Sequence, residues 1–294
     1  MKEKILLIGM FCFVILVSCS AEDVSNFNSG PINTAKPDTI NTGNESDTIG
    51  KPEDGKESTI IRNVVVAHRG AWKKNNFPAN SIASLKEAIK LGCKGSEFDV
   101  VLTADDSLVI CHDAKYNNRI IQDSKYSDLI TLRLSNGERL PTLREYISAG
   151  KQNNTKTLLF CEFKNYGLSA ARRQFMILKV LELASKLEAQ KLMVYASFEY
   201  NLLKQIEILN PLASTLYLSG DTSPELLKLD KIKGACYNYP IFKSHLDWIG
   251  NAKTIGISIG AWTVNDNENI NWFLKNDFDY IVTDEPELAL NNQK

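Results

Sequence analysis

Four short stretches of this sequence gather residue types that could do acid–base and metal chemistry: His68-Arg69-Gly70, Glu97-Phe98-Asp99, His112-Asp113 and Glu162-Phe163-Lys164. Each sits in or just after an apolar run. If those runs are strands, side chains alternate along them, so Glu97 and Asp99 share one face while Phe98 takes the other. The same alternation puts Glu162 and Lys164 on one face around Phe163. Three carboxylates offering oxygen ligands suit a hard divalent cation, Mg²⁺ or Ca²⁺, better than zinc. The alternative is that these acids serve only as salt-bridge partners of Arg69 and Lys164. Crowding three carboxylates into a partly dry site raises their pKa values, a strain that a bound cation relieves. The chain has 3 histidines, and two of them, His68 and His112, fall beside this acidic set. His245 lies elsewhere and receives no role.

The elements that must position these residues alternate between strand and helix patterns from residue 61 onward. Val64–Ala67 reads as a short buried strand, and 80–91 as an amphipathic helix closed by Gly92 and capped at its start by Asn80. Gly95–Leu102 and Leu108–Cys111 read as strands, and Thr142-Leu143-Arg144-Glu145 as a capping box that opens a helix. A strand at 157–164 and a long helix at 169–187 follow. Further strands are expected at 193–197, 215–218, 234–238, 257–264 and 279–282, with Ser223-Pro224 opening a helix between two of them. Only Thr103 to Ser107 separates 95–102 from 108–111. Parallel strands need a far longer crossover, so these two must form an antiparallel hairpin. With Asp105 and Asp106 in the turn, the expected register sets His112 opposite Asp99. Eight strands then remain to alternate with helices, which is the pattern of a (β/α)₈ TIM barrel carrying a hairpin extension after its second strand. In such a barrel the chemistry sits at the C-terminal ends of the strands: His68-Arg69-Gly70 ends the first, Glu97-Phe98-Asp99 lies in the second, Glu162-Phe163-Lys164 ends the third, and the hairpin strand returns His112 to the level of the acids. The alternative is a doubly wound open sheet, although no glycine-rich dinucleotide fingerprint follows the first strand.

Upstream of the barrel the sequence changes character twice. Met1-Lys2-Glu3-Lys4 precedes an apolar run from Ile5 to Val17, which would rise only about 20 Å as a helix and fall short of a membrane span. That pattern describes a secretory signal over residues 1–18. Leu16-Val17-Ser18-Cys19 resembles the lipobox of bacterial lipoproteins, in which the cysteine is lipidated and becomes the first mature residue. A plain small residue near an ordinary cleavage site is the other reading of Cys19. Glu22 and Asp23 just after it would suit export to the outer cell surface. Residues 19–60 are rich in Ser, Asn, Thr, Asp, Gly and Pro without apolar periodicity, and read as a disordered tether. The expected location is the cell envelope, attached to a membrane by the N-terminal lipid. A net charge of −1 gives no basic field for a nucleic acid, and nothing indicates an obligate protein partner. The cysteines outside the signal and lipobox, Cys93, Cys111, Cys161 and Cys236, lack metal-finger spacing and read as small buried hydrophobes.

With these residues in place, the sequence resembles the glycerophosphodiester phosphodiesterase family between about Val64 and Ala289. The resemblance rests on His68-Arg69-Gly70, Glu97-Phe98-Asp99, His112-Asp113, Glu162-Phe163-Lys164, Trp262-Thr263-Val264-Asn265 and Thr283-Asp284-Glu285-Pro286, in family order. It implies that Glu97, Asp99 and Glu162 hold the metal, and that Arg69 and Lys164 bind the substrate phosphate. It also implies that His68 and His112 are the catalytic acid–base pair. A small glycerophosphodiester would close to a cyclic phosphate, which water opens to glycerol phosphate and an alcohol. Asn80 could touch phosphate or orient a histidine. Trp262 could cover the glycerol or simply pack in the core. The family usually has Glu-Asn-Thr where this chain has Ala79-Asn80-Ser81, so an acid is missing there. Two other functions fit related chemistry. One is a phospholipase acting on intact lipid, for which Trp72 and Phe77 in the loop after the first strand would have to face a bilayer. The other is a surface lipoprotein that binds a phosphorylated ligand without turnover.

Overall fold

The computed structural model describes residues 62–294, which belong to one compact unit. Cys19, the signal over 1–18 and the tether over 19–60 lie outside the described residues. Among the described residues no helix is long and apolar enough to cross a membrane.

The chain runs β1 (Val65–Ala67), α1 (Ile82–Leu91), β2 (Gly95–Leu102), β3 (Leu108–Ile110), β4 (Lys115–Tyr116), β5 (Arg119–Ile120), α2 (Tyr126–Leu129), α3 (Leu143–Lys151), β6 (Leu158–Phe163) and α4 (Ala170–Lys186). It continues through β7 (Met193–Ser197), α5 (Tyr200–Leu209), β8 (Ser214–Tyr217), α6 (Pro224–Leu229), β9 (Gly234–Asn238), α7 (Tyr239–Ser244), α8 (Leu246–Ile255), β10 (Ser258–Trp262), α9 (Asn267–Lys275), β11 (Tyr280–Thr283) and α10 (Pro286–Asn292). Eight of these strands pair in parallel around a ring, β1-β2-β6-β7-β8-β9-β10-β11, and the β1–β2 and β1–β11 pairings close it. This is the TIM barrel that the alternation implies, and the open sheet is excluded.

The parallel strands are buried on both faces, and their residues divide cleanly by direction. Val66, Phe160, Val194, Leu216, Cys236 and Val282 point into the barrel and form its inner core. Phe98 points outward to α3, where its ring lies 4.5 Å from that of Tyr146, and Phe163 joins the same outer core. Because the phenylalanines take the outer face, the acids flanking them are turned inward. The expected capping box is present: Thr142 accepts from Glu145 N–H while the Glu145 carboxylate accepts from Thr142 N–H. All four cysteines of the barrel are free, three of them fully buried.

Two local expectations are corrected. The β2–β3 hairpin exists, but its register pairs Leu102 with Leu108 and Val100 with Ile110. The next partner of Asp99 is therefore Cys111, whose N–H donates to Asp99 O at 2.9 Å; His112 lies one residue further on. The reason is a three-residue loop rather than a two-residue one. Thr103 pairs with Ser107, Ser107 N–H also donates to Thr103 Oγ1 at 2.8 Å, and Asp106 takes the left-handed conformation at φ 66° that such loops need at their last position. The second correction concerns α1. Its N-cap is Ser81, which accepts from Ser84 N–H, whereas Asn80 has φ 63° and sends its side chain elsewhere.

Candidate active site

Closing the barrel brings the C-terminal ends of β1, β2 and β6 side by side, and this fixes the polar cluster. In β2, Asp99 pairs with Glu162 of β6 and Glu97 with Phe160. Glu97, Asp99 and Glu162 are 7%, 1% and 8% exposed, and one carboxylate oxygen from each lies within 4.8 Å of the others. Lys164 Nζ bridges two of them, 2.5 Å from Glu162 Oε1 and 3.2 Å from Asp99 Oδ1. Arg69 Nε stands 3.8 Å from Asp99 Oδ2, and Arg69 N–H donates to Glu97 Oε2 at 2.8 Å.

Arg69 reaches this position through a left-handed pair of residues, with φ 59° at Arg69 and 83° at Gly70. That turn drops the chain against the start of α1, where Arg69 O accepts from Asn80 N–H and from Ser84 Oγ. A Cβ on residue 70 would sit 2.6 Å from the Ser84 carbonyl carbon, so both the conformation and the close approach require glycine. Asn80 is turned inward by its own positive φ and grips Asp99 twice. Its Nδ2 donates to Asp99 Oδ2 at 2.7 Å, and its Oδ1 accepts from Asp99 N–H at 3.2 Å. Its amide thus supports an acid of the cluster and orients neither histidine.

The electrostatics follow from burial. Desolvation, followed by the charges of Asp99 and Glu162, pushes Glu97 well above the ordinary carboxylate range. Desolvation and Asp99 push Glu162 up to about 7, against the opposing pull of Lys164. Burial works against the charge on Lys164, but Asp99 and Glu162 outweigh it and raise its pKa. With all three carboxylates ionised, as metal ligation requires, they outnumber the two cations by one. Glu97 Oε1 is buried without a hydrogen-bond partner, and Asp99 Oδ1 and Glu162 Oε1 face only the Lys164 ammonium. Such an underserved set of oxygens, at this spacing, fits a divalent cation of the hard oxygen-binding kind. Among the described residues it is the one His/Cys/Asp/Glu group with metal-holding geometry.

Both histidines line the same cavity as Glu97, Glu162, Arg69 and Lys164. His68 Nδ1 donates to Asp284 Oδ1 at 2.8 Å; an ionised carboxylate can only accept, which fixes the roles. Asn265 holds that aspartate in turn, donating from Nδ2 to Asp284 Oδ2 at 2.8 Å and accepting Asp284 N–H at 2.9 Å. Burial opposes the charge on Asp284, but the hydrogen bonds from His68 and Asn265 keep its carboxyl below the usual range. His112 Nδ1 likewise donates to Asp113 Oδ1 at 2.8 Å. Burial lowers the pKa of His112 against the pull of Asp113, which favours the neutral imidazole. Each ring is left with Nε2 for the cavity.

Asp284, Asn265 and Asp113 carry no role in the sequence reading, although each stands inside a motif quoted there. Only closure between β1 and β11 shows that Asp284 belongs to His68. The wall opposite the acids is apolar, built from Phe198, Leu216, Leu218 and Trp262. Trp262 lines the cavity, where its Nε1 donates to Cys236 O at 3.0 Å and its ring stands edge-on to Phe198. His245 stacks on Trp248, outside this cavity. Trp72 and Phe77 are both half-buried, so the loop between them does not present the open aromatic pair that a bilayer-facing enzyme would need there.

Comparison with known proteins agrees with this geometry. A glycerophosphodiester phosphodiesterase from Caldanaerobacter subterraneus subsp. tengcongensis is 25% identical over 79% of this chain and 98% of its own length. The crystal structure of a glycerophosphodiester phosphodiesterase from Parabacteroides distasonis superposes with a TM-score of 0.76 at 35% identity, covering 79% of this chain and 97% of that one. An Oleispira antarctica phosphodiesterase, solved in complex with the product sn-glycerol-3-phosphate, shares the fold with a TM-score of 0.68 at 24% identity, covering 79% of this chain and 97% of that one. Residues 68–288 match the glycerophosphoryl diester phosphodiesterase family, beginning at His68 itself. The chain belongs to that family and is a phosphodiesterase.

Proposed function

We propose that the protein hydrolyses small glycerophosphodiesters to glycerol phosphate and an alcohol, with Glu97, Asp99 and Glu162 as ligands of Mg²⁺ or Ca²⁺. The observation that carries this reading is the shared cavity, in which two histidines, each tied through Nδ1 to a carboxylate, flank a buried acid cluster and its two cations. When bound, the divalent cation would polarise the phosphate and acidify the neighbouring glycerol hydroxyl. Arg69 and Lys164 bind the non-bridging phosphate oxygens, Arg69 with a fork that suits two of them. One histidine Nε2 takes the proton of the substrate's 2-hydroxyl as that oxygen attacks phosphorus. The other protonates the departing alcohol oxygen as its bond to phosphorus breaks, which leaves a five-membered cyclic phosphate. Water then opens the ring while the histidines exchange roles, and both return to their starting protonation. Trp262 and the apolar wall beside it cover the carbon face of the glycerol.

The parent compound for testing this is glycerophosphocholine, assayed with Mg²⁺, with Ca²⁺ and with a chelator. Turnover should need the metal, and ³¹P NMR of early time points should show the cyclic phosphate. Full metal-dependent turnover in both His68→Ala and His112→Ala would falsify the mechanism. Equal rates on intact phosphatidylcholine would turn the assignment to a phospholipase. For the N-terminal region, the lipobox at Cys19 supports a lipid-anchored protein of the bacterial cell envelope. Cell fractionation of wild type and Cys19→Ala tests this, because only the wild type should stay with the membranes.

A further inference from the structure

The end of the barrel opposite the mouth carries an apolar patch that the chemistry does not use. Leu212, in the loop before β8, is 94% exposed, while Ile208 at the end of α5 and Leu229 at the end of α6 are each 77% exposed. Ile208, Pro211 and Leu229 line one groove and Leu209 and Leu212 a second, beside the Pro211-Leu212 loop. A monomer in water has no use for large aliphatic side chains exposed together in this way.

The charges around the patch are mostly basic, although the exposed Glu188 stands among them. Lys94, Lys156, Lys191, Lys231 and Lys275 stand just before β2, β6, β7, β9 and β11, on the same end of the barrel. Among the described residues none of the five has a carboxylate partner, whereas Asp230, Asp277 and Asp279 at that end are each held in an ion pair. Some lysines at helix C-termini are expected from the helix dipole, but Lys94, Lys156 and Lys231 lie beyond their helices. The chain also enters the barrel here, at Arg62 before β1, so the 61 residues that precede it join at this end.

We infer that this end of the barrel rests on an anionic lipid surface, with Leu212, Ile208 and Leu229 inserted among the headgroups and the lysines over them. Aliphatic wedges ringed by lysine are what an anionic membrane surface attracts. A second copy of the chain fits less well, because a two-fold pairing would bring two copies of this lysine-flanked patch together. The inference rests on the envelope placement proposed above and gives it a direction: the catalytic mouth points away from the lipid, toward substrates in water.

The barrel folds on its own, as the closed ring and the relatives of nearly the same extent indicate, so residues 58–294 can be tested without Cys19. Sedimentation with phosphatidylcholine vesicles, with and without phosphatidylglycerol, should show binding only to the anionic ones and weakening as salt rises. Leu212→Ser with Leu229→Ser, and separately Lys191→Glu with Lys231→Glu, should each weaken binding about tenfold or more, while hydrolysis of glycerophosphocholine in solution stays unchanged. Absent binding to anionic vesicles, or binding untouched by these substitutions, overturns the inference. So does a dimer in light scattering that the leucine variant dissolves, or loss of vesicle binding in Tyr166→Ser with Phe198→Ser at the mouth instead. Since the fragment lacks Cys19, these outcomes are independent of whether the full chain is lipidated.

Discussion

Glu97, Asp99 and Glu162 lie closer together than three carboxylates would choose, and that frustration can be measured. Glu162 is raised from its ordinary 4.5 to about 7 by burial and by Asp99. The folded, metal-free protein therefore holds a proton across this window that the unfolded chain has released. A state that binds more protons loses ground as pH rises, so the metal-free fold weakens between pH 4.5 and 7 on account of Glu162. In chelator, the melting temperature of wild type relative to Glu162→Gln should fall across that range; a flat or rising difference would contradict the electrostatic account. Adding Mg²⁺ or Ca²⁺ should restore most of the loss at pH 7 and less at low pH, because the ligands must be deprotonated. At the other side of the cavity, Asp284 fixes the His68 ring by a single 2.8 Å bond. Asp284→Asn should lower kcat by about tenfold to a hundredfold with little change in KM, as expected for a group that orients a base without touching substrate. The inward placement of Glu97, Asp99, Glu162 and Lys164 was legible in the sequence because Phe98 and Phe163 mark the outward face, and that of His68, Arg69 and His112 because they follow short apolar strand-like runs. Asp284 and Asn265 were not, because Asp284 meets His68 across 216 residues that only barrel closure joins, and Asn265 acts on Asp284 rather than on a histidine. Asn80 misled for a different reason: Asn80 and Ser81 are both good N-caps, and the choice between them depends on the positive φ at Asn80, which is set by contact with Asp99.

At the scale of elements, the alternation of apolar runs and amphipathic stretches was enough to place every strand of the barrel within a residue or two, since strands buried on both faces leave an unbroken apolar signature. The hairpin was also legible, from a connection too short for any crossover. Its register was not, because a left-handed aspartate at 106 leaves no mark as clear as a glycine. The turn after β1 shows the opposite case, where a glycine is demanded twice over. Gly70→Ala must place a Cβ 2.6 Å from the Ser84 carbonyl carbon at φ 83°, and neither α1 nor the Arg69 loop can retreat without breaking the bonds between them. We expect a loss of about 2–4 kcal/mol in urea unfolding, from strain together with overpacking. Activity should fall as well, because Arg69 N–H is tied to Glu97. Gly92 is the control. It also has a positive φ, 72°, but nothing lies within 4 Å of its added Cβ, so Gly92→Ala should cost only about 1 kcal/mol and leave kcat intact.

For the whole molecule, the barrel separates its two ends by the length of its strands, and the proposed functions divide between them. Every group assigned to chemistry comes from a strand end or loop at the mouth, and none from the end where Arg62 joins the barrel. Among the described residues the lining of the cavity begins at His68. The relatives point the same way: the Caldanaerobacter protein is matched over 98% of its length by 79% of this chain, so a barrel of this extent is a whole protein there. Anchoring and catalysis should accordingly be separable. Residues 58–294 should turn over glycerophosphocholine with kcat/KM within about twofold of the full chain, since no transition-state contact has been removed. Cys19→Ala in the full chain should move the protein from membrane to soluble fractions without changing that constant. If either change instead lowered kcat/KM by an order of magnitude, residues upstream of the barrel would have to reach the mouth, and the division of labour between its two ends would be wrong.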